Sequence, residues 1–203
     1  QTMVGDPTWQ MAPLDGPNHV YLNLPQDTIF ASPTTVGVTM NALLSGARQV
    51  GFDGEDDHVD LGDIMGDGSY TKMAWVKRSS GNTVNHIISG SGNDHALWAS
   101  VWQGFKLSAA HNGSWEEPHV QDTVALSTNQ WHFVAVTFEL ASGGVGTMTL
   151  YKDGAAIDQA TDVPVQNDGT NCYLGALSAT DFYNGNMDEV SLWNLALTQQ
   201  QVQ

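Results

Sequence analysis

The residues of this chain best suited to chemistry are oxygen donors in turns. Asp53, Asp56 and Asp57 crowd into one short stretch, FDGEDDHVD. Asn93 and Asp94 close a glycine-rich loop, and Asn167, Asp168 and Asn171 share another, QNDGTN. Carboxylates and amide carbonyls on loops that can bend are what calcium takes, since this hard cation needs roughly six to eight oxygens. The Asp53 stretch is not an EF-hand, because the sixth position counted from Asp53 is His58, where that loop needs glycine. The same Asn and Asp residues also make turns unaided, and an acidic hairpin blunts a sheet edge, so both readings stand.

A second kind of chemistry is stacking on aromatic faces. The chain has seven tryptophans. Trp115 follows a turn and lies close in sequence to His111 and Asn112. An indole there, with Asp94, Asn93 and Asn171 on nearby loops, suits a sugar ring: the indole takes its C–H face and the polar groups take its hydroxyls. Trp75, Trp131 and Trp193 fall in strong strand patterns and are read as core. Trp98 and Trp102 share one strand face and are read as filling the space between two sheets.

Catalytic patterns are missing. A retaining glycosidase needs two carboxyl groups about 5 Å apart. The nearest stretch, Glu55 to Asp60, lacks the Glu-x-Asp-x-x-Glu strand form. Arg48 and Arg78 are the only arginines, too few for a lyase constellation. The seven histidines show no zinc spacing. The chain is therefore expected not to be an enzyme, with a polysaccharide lyase or glycosidase as the weaker alternative.

Composition narrows the partners. Six Lys+Arg face 22 Asp+Glu, a formal net charge of -16 in 203 residues. Such a cation deficit argues against nucleic acid and against anionic membrane surfaces. No apolar run reaches the ~20 residues of a membrane helix. The single cysteine, Cys172, allows no internal disulfide and reads as a small buried apolar residue.

The elements that must position these residues are strands. The stretch WHFVAVTF, residues 131–138, is apolar at nearly every position, as in a central strand covered on both faces. A glycine cluster then turns the chain into MTLYK, residues 148–152, and Asp153-Gly154 starts the next hairpin. Further strands are expected over residues 36–40, 69–77, 86–90, 96–103, 105–109, 120–126, 173–177 and 187–193. Phe52 and residues 58–61 read as one strand broken by the acidic turn. Thr198 with Gln201 forms the only helix start. Many short strands with glycine turns and no internal helix indicate an all-β, two-sheet antiparallel β-sandwich.

Three segments carry a family resemblance. WHFVAVTF with LYKDG, FDGEDDHV, and FYNGNMDEVSLW followed by Ala196-Leu197-Thr198 together resemble the laminin-G-like, concanavalin A-like jelly-roll superfamily, in its bacterial adhesin and lectin branch. The resemblance runs from about Val50 to the C-terminus and implies one jelly-roll domain over 1–203, with 1–45 as an elaborated N-terminal edge segment. It also implies a calcium aspartate at Asp94, a further ligand from Asn167 or Asp168, and backbone carbonyls near His111 and Asn112 closing the site at one rim. First and last strands are neighbours in that fold, which brings Asp188 toward Asp53, Asp56 and Asp57 as a second calcium site. The function implied is calcium-dependent carbohydrate binding by a module of a longer adhesin, extracellular or on the cell surface. The alternative is a structural or protein-interaction module with structural calcium only.

Overall fold

The computed structural model describes residues 37–40, 49–81, 83–91, 94–166 and 171–202. The chain folds into thirteen strands and one short helix among these residues. They are β1 (Gly37–Met40), β2 (Val50–Asp53), β3 (Val59–Asp60), β4 (Tyr70–Arg78), β5 (His86–Gly90), β6 (His95–Trp98), β7 (Lys106–His111), β8 (Val120–Ala125), β9 (His132–Leu140), β10 (Val145–Lys152), β11 (Ala155–Pro164), β12 (Cys172–Leu174), β13 (Asn184–Trp193) and α1 (Gln199–Val202).

The strands form two antiparallel sheets, the sandwich the patterns indicate, in the jelly-roll form the family resemblance implies. One runs β1-β13-β4-β9-β10-β11, with β2 also pairing β13, and the other runs β3-β12-β5-β6-β7-β8. β9 is central as its composition requires, paired to β4 through Phe138↔Tyr70 and to β10 through Thr137↔Thr149. Its inward Val134, Val136 and Phe138 join Ile87, Leu97, Leu107 and Leu150 in one continuous core. Burying each such side chain stabilises the fold by about 1.5–3 kcal/mol.

The outer face of the seven-stranded sheet is covered in part by the chain's own end. The Thr71 hydroxyl donates to Leu195 O (2.8 Å) and accepts from Leu197 N (2.9 Å), which pins the exit segment there. Leu197 and Val202 then pack with Ala135, Tyr151 and the half-buried Met73 and Phe133. The helix start is as expected: Thr198 N donates to Gln201 Oε1 at 2.9 Å, half of a capping box.

Two expectations give way here. Phe52 and Val59 do not share a strand, since β2 belongs to the larger sheet and β3 to the smaller. The acidic turn is thus a crossing between sheets. Residues 96–103 are not one strand either. β6 stops at Trp98, Ser100 Oγ accepts from Trp102 N (3.0 Å), and residues 101–103 coil into a single 3-10 turn closed by Gly104 at φ 65°. One glycine is obligatory in β13: Gly185 holds φ 148°, and a Cβ there would lie 2.2 Å from Lys77 O of β4.

Candidate functional site

Three loops meet at one rim of the sandwich, held by main-chain bonds. Asn112 N donates to Asp94 O and Ser91 N donates to Asn171 O, both at 2.8 Å. Asn112 Nδ2 donates to Val165 O at 2.9 Å, which ties the β7–β8 turn to the end of β11. Asn112 takes φ 53°, a left-handed conformation that asparagine tolerates better than most residues. Asp94, Asn112 and Asn171 are therefore assembled, with Asp94 buried and Asn112 exposed. Asn93, Asn167 and Asp168 lie outside the described residues.

His111 is not available to a ligand at this rim. Its ring is buried, donates from Nδ1 to Pro164 O (2.7 Å) and accepts at Nε2 from the Tyr70 hydroxyl (2.7 Å). Both nitrogens are consumed in the core, and burial pushes its pKa down to about 3. Asn171 is likewise engaged, donating Nδ2 to the carboxylate of Asp60 at 3.0 and 3.1 Å.

Trp115 leads from the rim across the outer face of the six-stranded sheet. It stands edge-on to Trp98, ring centroids 5.4 Å apart, and edge-on to His86 at 5.8 Å. Gln103 ties the Trp98 indole to the main chain of Trp115, accepting from Trp98 Nε1 (3.2 Å) and donating to Trp115 O (2.8 Å). Trp98 is thereby buried, but under Trp115 on this outer face with Ala96 and Ala110 and not between the sheets as its strand pattern suggested, and Trp115 remains partly exposed. The core assignments of three other indoles are corrected. Trp102 is 81% exposed on its 3-10 turn, and Trp75 and Trp131 are each 37% exposed. Ser100 and Gly104 flanking Trp102 were the available signal, a cap and a left-handed stop that break a strand.

The acidic hairpin forms a genuine cluster. One ligand oxygen each from Asp53, Asp56 and Asp57 lies within 4.8 Å of the others. The turn is self-braced: Asp53 Oδ1 accepts from Glu55 N (2.8 Å) and Asp57 Oδ2 accepts from Asp53 N (3.0 Å). Across the sheet, Asn184 Nδ2 donates to Asp53 O at 2.7 Å. Three carboxylates with oxygen donors alone fit calcium rather than a softer metal. Asp188 does not join them. Asn184 is the residue paired with Asp53, so Asp188 sits four positions further along β13, opposite Trp75 and past the end of β2.

A family model described as the concanavalin A-like lectin/glucanases superfamily matches residues 53–203. The chain belongs to that superfamily. No curated protein sequence matches it. Among solved structures, this superfamily member is similar to a heptameric SAP-like pentraxin from Limulus polyphemus, with TM-score 0.59, 16% identity, and 76% of this chain and 79% of that chain covered. It is similar to domain 4 of AbnA, a GH43 extracellular arabinanase from Geobacillus stearothermophilus in complex with arabinotriose (TM-score 0.53, 18% identity, 83% and 85% covered). NanB sialidase from Streptococcus pneumoniae is a third, with TM-score 0.58, 18% identity and 76% of this chain covered, but only 27% of the sialidase chain.

The expectation that the chain is not an enzyme is overturned by these findings. The superfamily holds glucanases beside lectins, and chains of an arabinanase and a sialidase share the fold. The missing Glu-x-Asp-x-x-Glu pattern therefore does not exclude catalysis, because one sandwich hosts several chemistries.

Proposed function

We propose that the chain is a calcium-ordered carbohydrate-binding module of a longer secreted or cell-surface protein, of adhesin or lectin type. The observation that carries the reading is the meeting of the loops of Asp94, Asn112 and Asn171 at one rim through direct hydrogen bonds. A ligand bound there would gain a preformed polar edge beside the partly exposed Trp115, which is how sugar sites combine a few placed polar groups with an aromatic wall. The complex of AbnA domain 4 with arabinotriose supports a glycan ligand for a sandwich of this shape.

Asp53, Asp56 and Asp57 would hold a calcium ion at the crossing between the sheets. Bound there, calcium supplies positive charge that offsets the repulsion among three close carboxylates. The chain's own residues then do the rest: Asn184 anchors Asp53 to β13, and the Asp53–Asp57 hydrogen bond keeps the turn closed. The low cation count makes a neutral glycan the expected partner.

Thermal melts in EDTA, in calcium, and in calcium with neutral glycans test the reading. Binding to the folded state alone raises the midpoint, by mass action. A rise with calcium and a further rise with a glycan are expected. A rise with calcium only would replace this function by a structural or protein-interaction module. Chromatography of the same glycans after incubation separates binding from turnover.

A further inference from the structure

The seven-stranded sheet carries a groove on its outer face, on the opposite side of the sandwich from Trp115. It has a volume of about 860 Å³ and is lined by Met73, Trp75, Phe133, Glu189, Ser191 and Gln199 among others. Trp75 and Phe133 form its floor, ring centroids 5.7 Å apart and planes inclined at 56°. They pair across β4 and β9 in register, so both rings are held by the sheet. The exit segment that covers Ala135 and Tyr151 leaves Trp75 37% exposed.

The polar wall comes from an irregularity. The β13–β4 register slips between Asp188 and Ser191, and Glu189 adopts φ 47° in that bulge. A left-handed glutamate in mid-strand costs conformational energy, and bulges of this kind re-aim side chains next to functional sites. Asp153 bounds the far side, its Oδ1 accepting from Phe133 N (3.0 Å) and its Oδ2 from His132 Nδ1 (2.8 Å). Among the described residues, Asp153 and Glu189 are the only charged ones lining it, and both are negative.

We propose that this groove is a second carbohydrate site, taking a neutral pyranose chain with one ring stacked on Trp75 and its hydroxyls bonded by Glu189 and Ser191. A fixed, half-exposed indole suits the C–H face of a pyranose. Carboxylate and hydroxyl oxygens accept from sugar hydroxyls, whereas uronic and sialic acids are repelled by the paired negative charge. The volume matches ordinary small-ligand sites.

Affinity electrophoresis of the whole chain in gels containing laminarin, xylan, galactomannan or arabinan tests this, with polygalacturonate as the acidic control. Trp75→Ala is expected to weaken retardation by at least one of the neutral polymers about tenfold, as loss of a central aromatic anchor does. Glu189→Gln, which leaves Trp75 and Phe133 intact, is expected to weaken the same polymer about threefold, as a neutral acceptor replaces a charged one. Trp115→Ala separates this groove from the rim. If Trp115→Ala alone removes retardation while Trp75→Ala and Glu189→Gln migrate as wild type, the groove is not a site and the rim reading stands. If the groove variants alone lose retardation, the second site holds and the rim reading fails. Retention by polygalacturonate, or no retention by any neutral polymer, overturns the proposal.

Discussion

Lys72 Nζ donates to His95 Nδ1 inside the sandwich, and also to Ile88 O at 3.2 Å. Both side chains are buried, at 0% and 1% exposed, between the two sheets. Around them stand Tyr70, whose ring lies 6.2 Å from that of His95, and Cys172. This is a polar seam through an otherwise apolar core, directly beneath the rim loops.

Burial pushes the Lys72 pKa down to about 8, against 10.5 for the unfolded chain. A base whose folded pKa is depressed leaves the unfolded state holding more protons between those two values, so this contribution makes stability rise with pH across the window. Burial raises Cys172 from 9.0 to about 11, which acts the opposite way above pH 9. The Lys72 effect is therefore cleanest between pH 8 and 9, with a slope of up to about 1.4 kcal/mol per pH unit. Urea titrations at both pH values are expected to show that rise in the wild type and its loss in Lys72→Met.

Three histidines act in the acid range. Burial holds His86 and His111 at about 3 and His95 well below 6.5. All three stay neutral when folded and take up protons on unfolding below pH 6.5, so stability is lost as pH falls from there toward 3. Between pH 4 and 5 unfolding should absorb about two protons through His86 and His111, a slope of about 2.7 kcal/mol per pH unit, and His95 acts in the same direction. Calorimetry in buffers of different ionisation enthalpy counts all protons taken up on unfolding, carboxylates included, and His86→Gln is expected to lower that count by about one. An unchanged count would show that the buried ring protonates in place.

Arg78 is a structural clamp. Its Nε and Nη2 both donate to Leu126 O (3.2 and 2.9 Å), Nη1 donates to Ser79 O (3.1 Å), and its guanidinium lies 4.0 Å from the Phe105 ring centre. Lysine cannot reproduce the fork or the stacking. Arg78→Lys is expected to lower stability by about 2–3 kcal/mol in chemical denaturation. A loss under half of that would mean the stacking and the fork are dispensable.

At the acidic hairpin, Asp56→Asn removes one carboxylate without touching the bonds that brace Asp53 and Asp57. The midpoint rise produced by calcium should shrink by half or more, about a tenfold loss of affinity for one lost charged ligand. In EDTA the variant should melt no lower than the wild type, because three close carboxylates repel one another. An unchanged calcium response places any calcium elsewhere.

Much of the fold was legible because strand patterns are local. His86–Gly90 appears as expected, and β4, β8, β9 and β13 fall within a few residues of the alternating or doubly apolar stretches that announced them. Asn112-Gly113 and Asp153-Gly154 turn as their side chains and φ preferences require. The three loops of the rim were also readable in outline, since turn-forming Asn and Asp stand at their ends.

By itself, the sequence determined which residues form strands, where the chain turns, the acidic character of its loops and its superfamily. Tertiary structure alone decided what each strand face meets. Alternation puts Met73 and Trp75 together on one face, but whether that face is covered depends on Leu197 and Val202, more than a hundred residues away, which reach Met73 and stop short of Trp75. His111 looked like a rim ligand by position and is turned inward because, from distant strands, the Tyr70 hydroxyl donates to its Nε2 and Pro164 O accepts from its Nδ1. Asp188 was expected near Asp53, and the β2–β13 register sets it four residues away. Local periodicity encodes a side chain's direction, and only the packing of remote segments decides whether that direction leads to core, to water or to a ligand.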